Sequence, residues 1–88
     1  MQIGIGENDI RQSWQKPFPA TTECHSCGKP SRIAVSLFED GKDKPRVVDV
    51  HPNDPKGEGF WLHDAGSFAI YLCTDIKCAE ATCLYNQA

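Results

Sequence analysis

Four of the five cysteines fall into two short pairs, Cys24-His-Ser-Cys27-Gly28-Lys29 and Cys73-Thr-Asp-Ile-Lys-Cys78. Two residues between cysteines let one tight turn aim both sulfurs at a single ion. Gly28 then supplies the backbone freedom that such a turn needs just after its second sulfur. Two such pairs far apart in a chain have the spacing of a structural zinc site, so Cys24, Cys27, Cys73 and Cys78 are the expected Zn²⁺ ligands. The second pair is wide, with four intervening residues, and 45 residues lie between Cys27 and Cys73. The cost of closing a loop grows slowly with its length, so that insertion is tolerable. If the last cysteines lie on a helix, Cys83 is turned about 140° from Cys78 and is expected as a small buried residue of that helix. Cys83 in place of Cys73 or Cys78, and iron in place of zinc, stay open at this point.

The remaining reactive residues make no catalytic set. His25 sits inside the first pair and points away from an ion that both flanking cysteines hold. His51 and His63 lie near Asp54 and Asp64, a combination able to bind a second, catalytic metal, but these acids are also ordinary turn residues. No nucleophile–base motif, phosphate loop or dinucleotide fingerprint is present. A redox role for Cys-x-x-Cys needs a β-α-β pattern that is missing. A site made only of sulfur is coordinatively closed, which argues against catalysis at that metal.

The elements that must position the cysteines can be read in outline. Residues 1–20 form an N-terminal arm in which Asn8 or Asp9 caps a short helix through Trp14, stopped by Pro17 and Pro19. Residues 21–88 form one zinc-binding domain. Ile33, Val35 and Leu37 alternate with Ala34, Ser36 and Phe38, the period of a half-buried strand. Glu39-Asp40-Gly41-Lys42 is a turn signal, and residues 46–51 read as the returning strand of a hairpin. Residues 52–59 are rich in breakers and form a loop. Phe60-Trp61-Leu62-His63 is short and apolar. Residues 67–72 run as a strand into Cys73. Thr74 or Asp75 then caps a C-terminal helix over residues 76–85. The expected fold is small α+β: a zinc knuckle, an antiparallel sheet of three to four strands, and a C-terminal helix, treble-clef or zinc-ribbon-like.

Eighty-eight residues make one domain whose core alone is marginal, so a metal staple is expected. Structural zinc contributes roughly 10–16 kcal/mol of apparent binding energy, enough to decide whether such a domain folds. The N-terminus lacks a basic start followed by an apolar stretch, and no run approaches the roughly 20 apolar residues of a membrane span. A cytoplasmic location with reduced thiols follows as the expectation. The formal charge of −3 becomes −5 with four thiolates and one Zn²⁺, which opposes nucleic acid. The cations between Lys29 and Arg46 are interleaved with Glu39, Asp40 and Asp43, as on a solvated hairpin.

Together the two ends resemble the N-terminal zinc-binding domain of the ClpX unfoldase. Cys24-His-Ser-Cys27-Gly28-Lys29 is similar to that family's Cys-x-x-Cys-Gly-Lys start. Tyr71-Leu72-Cys73 and Cys78-Ala-Glu-Ala-Thr-Cys83-Leu-Tyr-Asn86 are similar to its end. The match covers about 25 residues; the chain has a far longer middle and no ATPase module. The resemblance implies a zinc-stapled protein-interaction module, with dimerisation and adaptor or substrate binding as properties of that class. Trp14, Phe18, Phe60 and Trp61 are a large aromatic surface for so small a core; they either fill that core or form an apolar patch for a partner or a second copy. The functional expectation is therefore a protein-interaction or adaptor module. The alternatives are an HNH-like nuclease, which Val48-Asp49-Val50-His51 faintly resembles, and a rubredoxin-like iron electron carrier.

Overall fold

The computed structural model describes residues 1–13, 16–50 and 66–87. Among the described residues, five strands form one antiparallel sheet: β1 (Gln2–Ile5), β2 (Thr21–Glu23), β3 (Pro30–Phe38), β4 (Gly66–Cys73) and β5 (Ala81–Gln87). β3 is the spine. β1 and β2 share one of its edges, β1 along Val35–Phe38 and β2 along Pro30–Arg32. β4 takes the other edge, and β5 flanks β4. A bulge at Ala34 shifts the β3–β4 register by one residue. The spare Ala34 carbonyl accepts a hydrogen bond from the Gly6 amide at 2.8 Å.

One face of the sheet carries the core. Ile33, Ala69 and Tyr71 lie on it, covered by Phe18 from the N-terminal segment and flanked by Ile10 and Leu84. Tyr71 is fully buried and its hydroxyl donates to the Pro19 carbonyl at 2.7 Å, so the ring fills the core while its polar end is satisfied. Arg11 N–H donates to Ser36 Oγ at 2.7 Å, and the Asn86 amide donates to the Lys16 carbonyl at 2.9 Å, tying the same segment down along its length. A Cβ on Gly4 would collide with the Asp9 carbonyl, so this close approach needs a glycine. The opposite face is also apolar. Its register rows run Ile3–Leu37–Phe68–Tyr85 and Ile5–Val35–Ile70–Cys83 across β1, β3, β4 and β5.

Several expectations are corrected. The C-terminal helix is absent: residues 76–78 turn and Ala81–Gln87 pair with β4 in unbroken antiparallel register. Ala79, Glu80 and Ala81 suit a helix, but from Thr82 the chain alternates, placing Thr82, Leu84 and Asn86 on the core face. Pairing with β4 overrides the weak helical preference. Residues 46–50 do not form the returning strand. Val47–Val50 form a short helix, α1, because Asp49 accepts the Arg46 amide at 2.8 Å and buried Glu39 accepts that of Val47. The strand that returns along β3 after it in sequence is β4. In the N-terminal segment the expected helix is only a 3₁₀ turn, Glu7–Asp9, and β1 precedes it.

The aromatic surface also changes. Phe18 is buried in the core, not displayed to a partner. Trp14, Phe60 and Trp61 lie outside the described residues, as do the expected loop at 52–59, His51, His63, Asp54 and Asp64. Among the described residues, no helix is long and apolar enough to cross a membrane.

Candidate metal centre

Each cysteine pair occupies the tip of a hairpin, and β3–β4 pairing brings the two tips together. The first hairpin is β2–β3. There the Cys24 amide donates to the Lys29 carbonyl at 2.8 Å, and the Gly28 amide donates back to Cys24 at 3.0 Å. Gly28 has φ +77°, the left-handed conformation that glycine adopts without penalty. The second hairpin is β4–β5, where the Cys73 amide donates to the Glu80 carbonyl at 3.0 Å.

The wide spacing of the second pair has a structural cause. The Ala79 amide donates to the Asp75 carbonyl at 2.9 Å, the same four-residue closure as Gly28 onto Cys24. Ala79 has φ +52°, matching Gly28 in the position just after the second cysteine. Asp75-Ile-Lys-Cys78-Ala79 therefore repeats the turn of Cys24-His-Ser-Cys27-Gly28, with Asp75 where the first cysteine would be. Cys73, two residues earlier at the end of β4, supplies the sulfur instead. Asp75 is freed for other work: Oδ1 accepts the Lys77 amide at 2.9 Å, and Oδ2 pairs with Lys29 on the first tip at 2.6 Å.

The four sulfurs of Cys24, Cys27, Cys73 and Cys78 all lie within 4.8 Å of one another. Cys24 and Cys78 are 3.8 Å apart, and Cys27 and Cys73 are 3.5 Å apart. A disulfide needs about 2.05 Å, so these are free thiols. Four sulfurs placed tetrahedrally at about 2.3 Å from a Zn²⁺ would be about 3.8 Å apart. The cluster thus has the donor type, number and size of a four-sulfur metal site.

Its electrostatics fit a cation. Amides of Cys27 and Ser26 bond the Cys24 sulfur and lower its pKa to about 6. At Cys73 the Asp75 amide acts in the same direction, but burial and the neighbouring Cys27 and Cys24 sulfurs outweigh it and push the thiol up to about 12. Four sulfurs this close cannot all ionise without a positive charge among them. Lys29 lies nearby; its own pKa is raised by the hydrogen bond to Asp75, and also by Cys27 and Cys73. Further polar contacts join the tips. His25 N–H donates to Thr82 Oγ1 at 3.1 Å, and Thr74 Oγ1 donates to the Pro30 carbonyl at 2.7 Å.

Cys83 is not part of the cluster and is not a buried helical residue. It is exposed on β5, on the face opposite Thr82. The His25 ring is exposed, its Nε2 3.9 Å from Glu80. Lys29, Asp75 and Thr82 were missed as neighbours of the cysteines, because no local pattern signals which residues two distant hairpin tips bring together. Compared with known proteins, the chain matches no family model, no curated protein and no solved structure.

Proposed function

We propose that Cys24, Cys27, Cys73 and Cys78 bind one structural Zn²⁺, and that the protein is a small interaction or adaptor domain rather than an enzyme. The observation that carries the metal reading is the set of four free sulfurs within 4.8 Å on two paired hairpin tips. With the last cysteine on a hairpin turn and no helix behind it, the arrangement is closer to a zinc ribbon than to a treble clef. All four positions are sulfur, which leaves the ion no open place for substrate and favours a structural role. Iron accepts the same donors, but rubredoxin-like sites use two Cys-x-x-Cys pairs, and the second pair here is wider.

The interaction reading is supported by large apolar side chains at the surface: Ile76 on the second tip is 91% exposed, Ile5 68% and Leu72 52%. Such residues are costly in water unless a partner, or a second copy, covers them. Protein purified without added metal is expected to contain about one zinc per chain and to be colourless. Cys24→Ser and Cys73→Ser should lose it, and Cys83→Ser should keep it. A coloured iron protein would support the electron carrier, and a stable chain free of metal would reject the proposal. For the interaction role, Leu72→Asp with Ile76→Asp should abolish partner binding while zinc content stays unchanged. Plasmid nicking that requires a divalent metal and is lost in His51→Ala would support the nuclease instead.

A further inference from the structure

Three serines of the sheet are fully buried: Ser31, Ser36 and Ser67. Ser36 Oγ accepts the Arg11 amide at 2.7 Å, and Ser67 Oγ donates to the Asn86 carbonyl at 3.4 Å. Ser31 Oγ has no partner. Among the described residues, the other unpartnered buried side-chain atoms, Arg11 Nε and Arg46 Nε, belong to guanidinium groups whose Nη2 atoms are engaged with Asp9 and Asp49. Ser31 has one hydroxyl and nothing else to offer, and a buried hydroxyl left unpaired is unfavourable.

Its position suggests what the partner is. The register sets Ser31 opposite Thr22 on β2 and opposite Cys73 on β4. Cys24, two residues beyond Thr22, shares that face by the alternation of the strand. The Cys73 amide bonds to Glu80, just before β5 and away from β3, so Ser31 and Cys73 form a non-hydrogen-bonded pair, the kind whose side chains approach most closely. A neutral thiol is a weak acceptor, whereas a thiolate is a strong one. Besides its contact with the Cys27 sulfur at 3.5 Å, the Cys73 sulfur receives a bond from the Asp75 amide at 3.4 Å.

We infer that Ser31 is a positioning residue of the metal centre: its hydroxyl donates to the Cys73 sulfur once Cys73 is the metal-bound thiolate. This rests on the four-cysteine metal site proposed above. The bond orients the sulfur and draws electron density from it, as outer-shell donors do around other metal ligands. The inferred bond gives this buried hydroxyl the partner that its burial calls for.

The test uses Co²⁺, whose sulfur-to-metal charge-transfer band reports on the ligand sulfurs, with affinity read by competition against a chromophoric chelator. Wild type is expected to show a tetrahedral four-thiolate spectrum. Ser31→Ala should bind about tenfold more weakly, the low end of the range for outer-shell changes, with the band moved to longer wavelength. Ser31→Thr, which keeps the hydroxyl, should restore the band position even if the extra methyl costs some stability. A Ser31→Ala protein with wild-type affinity and spectrum overturns the inference and leaves the metal site standing. Lower thermal stability with an unmoved band also overturns it, since that is a packing effect alone. A wild-type chain that gives no four-thiolate spectrum removes the metal site and the inference together.

Discussion

Ala79 holds a backbone conformation that suits glycine. Its φ of +52° repeats that of Gly28 at +77° in the other turn, yet its Cβ makes the left-handed region unfavourable by about 1–2 kcal/mol. Ala79→Gly should therefore raise stability, by about 0.5–1 kcal/mol after allowing for the greater freedom glycine gives the unfolded chain. Gly28→Ala should lower it by about 1–2 kcal/mol, and the added Cβ would lie 3.4 Å from Glu23 Oε1. Urea unfolding of the two metal-loaded variants beside wild type checks both signs. Equal and opposite shifts are not expected, because Gly28 at φ +77° lies further than Ala79 at +52° from the left-handed minimum that an L residue can adopt. At this scale the chemistry was readable in advance. Cysteine type and spacing announced a sulfur site, and Gly28 announced its turn. Ser31 and Asp75 gave no such signal, since a serine in a strand and an aspartate in a turn are ordinary until a distant hairpin lies beside them.

Between elements, Asp75 does two things: it shapes its own turn through the Lys77 amide and reaches across to Lys29 on the other tip. The two roles separate by substitution. Asp75→Asn keeps an oxygen for the Lys77 amide but loses the charge facing Lys29. Asp75→Ala loses both. Zinc affinity, measured by chelator competition, should fall in the order wild type, Asn, Ala, with the Ala variant about tenfold weaker or more. Only the step from wild type to Asn should shrink at high salt, because exposed ion pairs are screened and turn hydrogen bonds are not. Wild-type affinity in the Asn variant at every salt concentration would show that the charge has no part. The same segment shows why the sequence misled about the last element. Thr74 and Asp75 resemble a helix cap, and the Asp75 carboxylate does accept an amide two residues on, as a cap would. The turn then closes at Ala79, and the alternation of Thr82, Leu84 and Asn86 carries the chain along β4. β3 and β4 were legible because their alternation is strong. α1 was not, because Arg46-Val-Val-Asp-Val has strand-forming residues and its helix depends on Glu39 and Asp49 accepting amides.

Taken as one molecule, the chain has a small core of Phe18, Ile33, Ala69 and Tyr71 at the middle of the sheet, with the sulfur cluster at one end of it. Acid should act on these in separate stages. Protons compete with metal for thiolates, so zinc is released first as pH falls. Asp49 and Asp40 titrate lower. Asp49 is held below the usual carboxylate range chiefly by the Arg46 amide, and Asp40 by the Lys42 amide. A depressed folded pKa stabilises fully above the unfolded value of about 3.9 and is lost as pH falls through the folded value. Zinc release, followed by fluorescent chelator, should therefore begin the loss of β-sheet signal, and what remains of that signal should fall further below about pH 4. At neutral pH a strong chelator isolates the first stage. The site exists only when the two tips are brought together, so the ion favours the folded chain alone, and the polar contacts between the tips are mostly at the surface, where each contributes little. The metal should then carry a large share of the 5–15 kcal/mol that keeps a domain of this kind folded. Losing even 2–3 kcal/mol would lower the melting temperature by about 10–20 °C. Calorimetry with and without chelator measures this directly, and readdition of zinc should restore the original transition. An unchanged transition in protein shown to be free of metal would mean that the core and sheet suffice, and that the ion, if bound at all, serves something other than the fold.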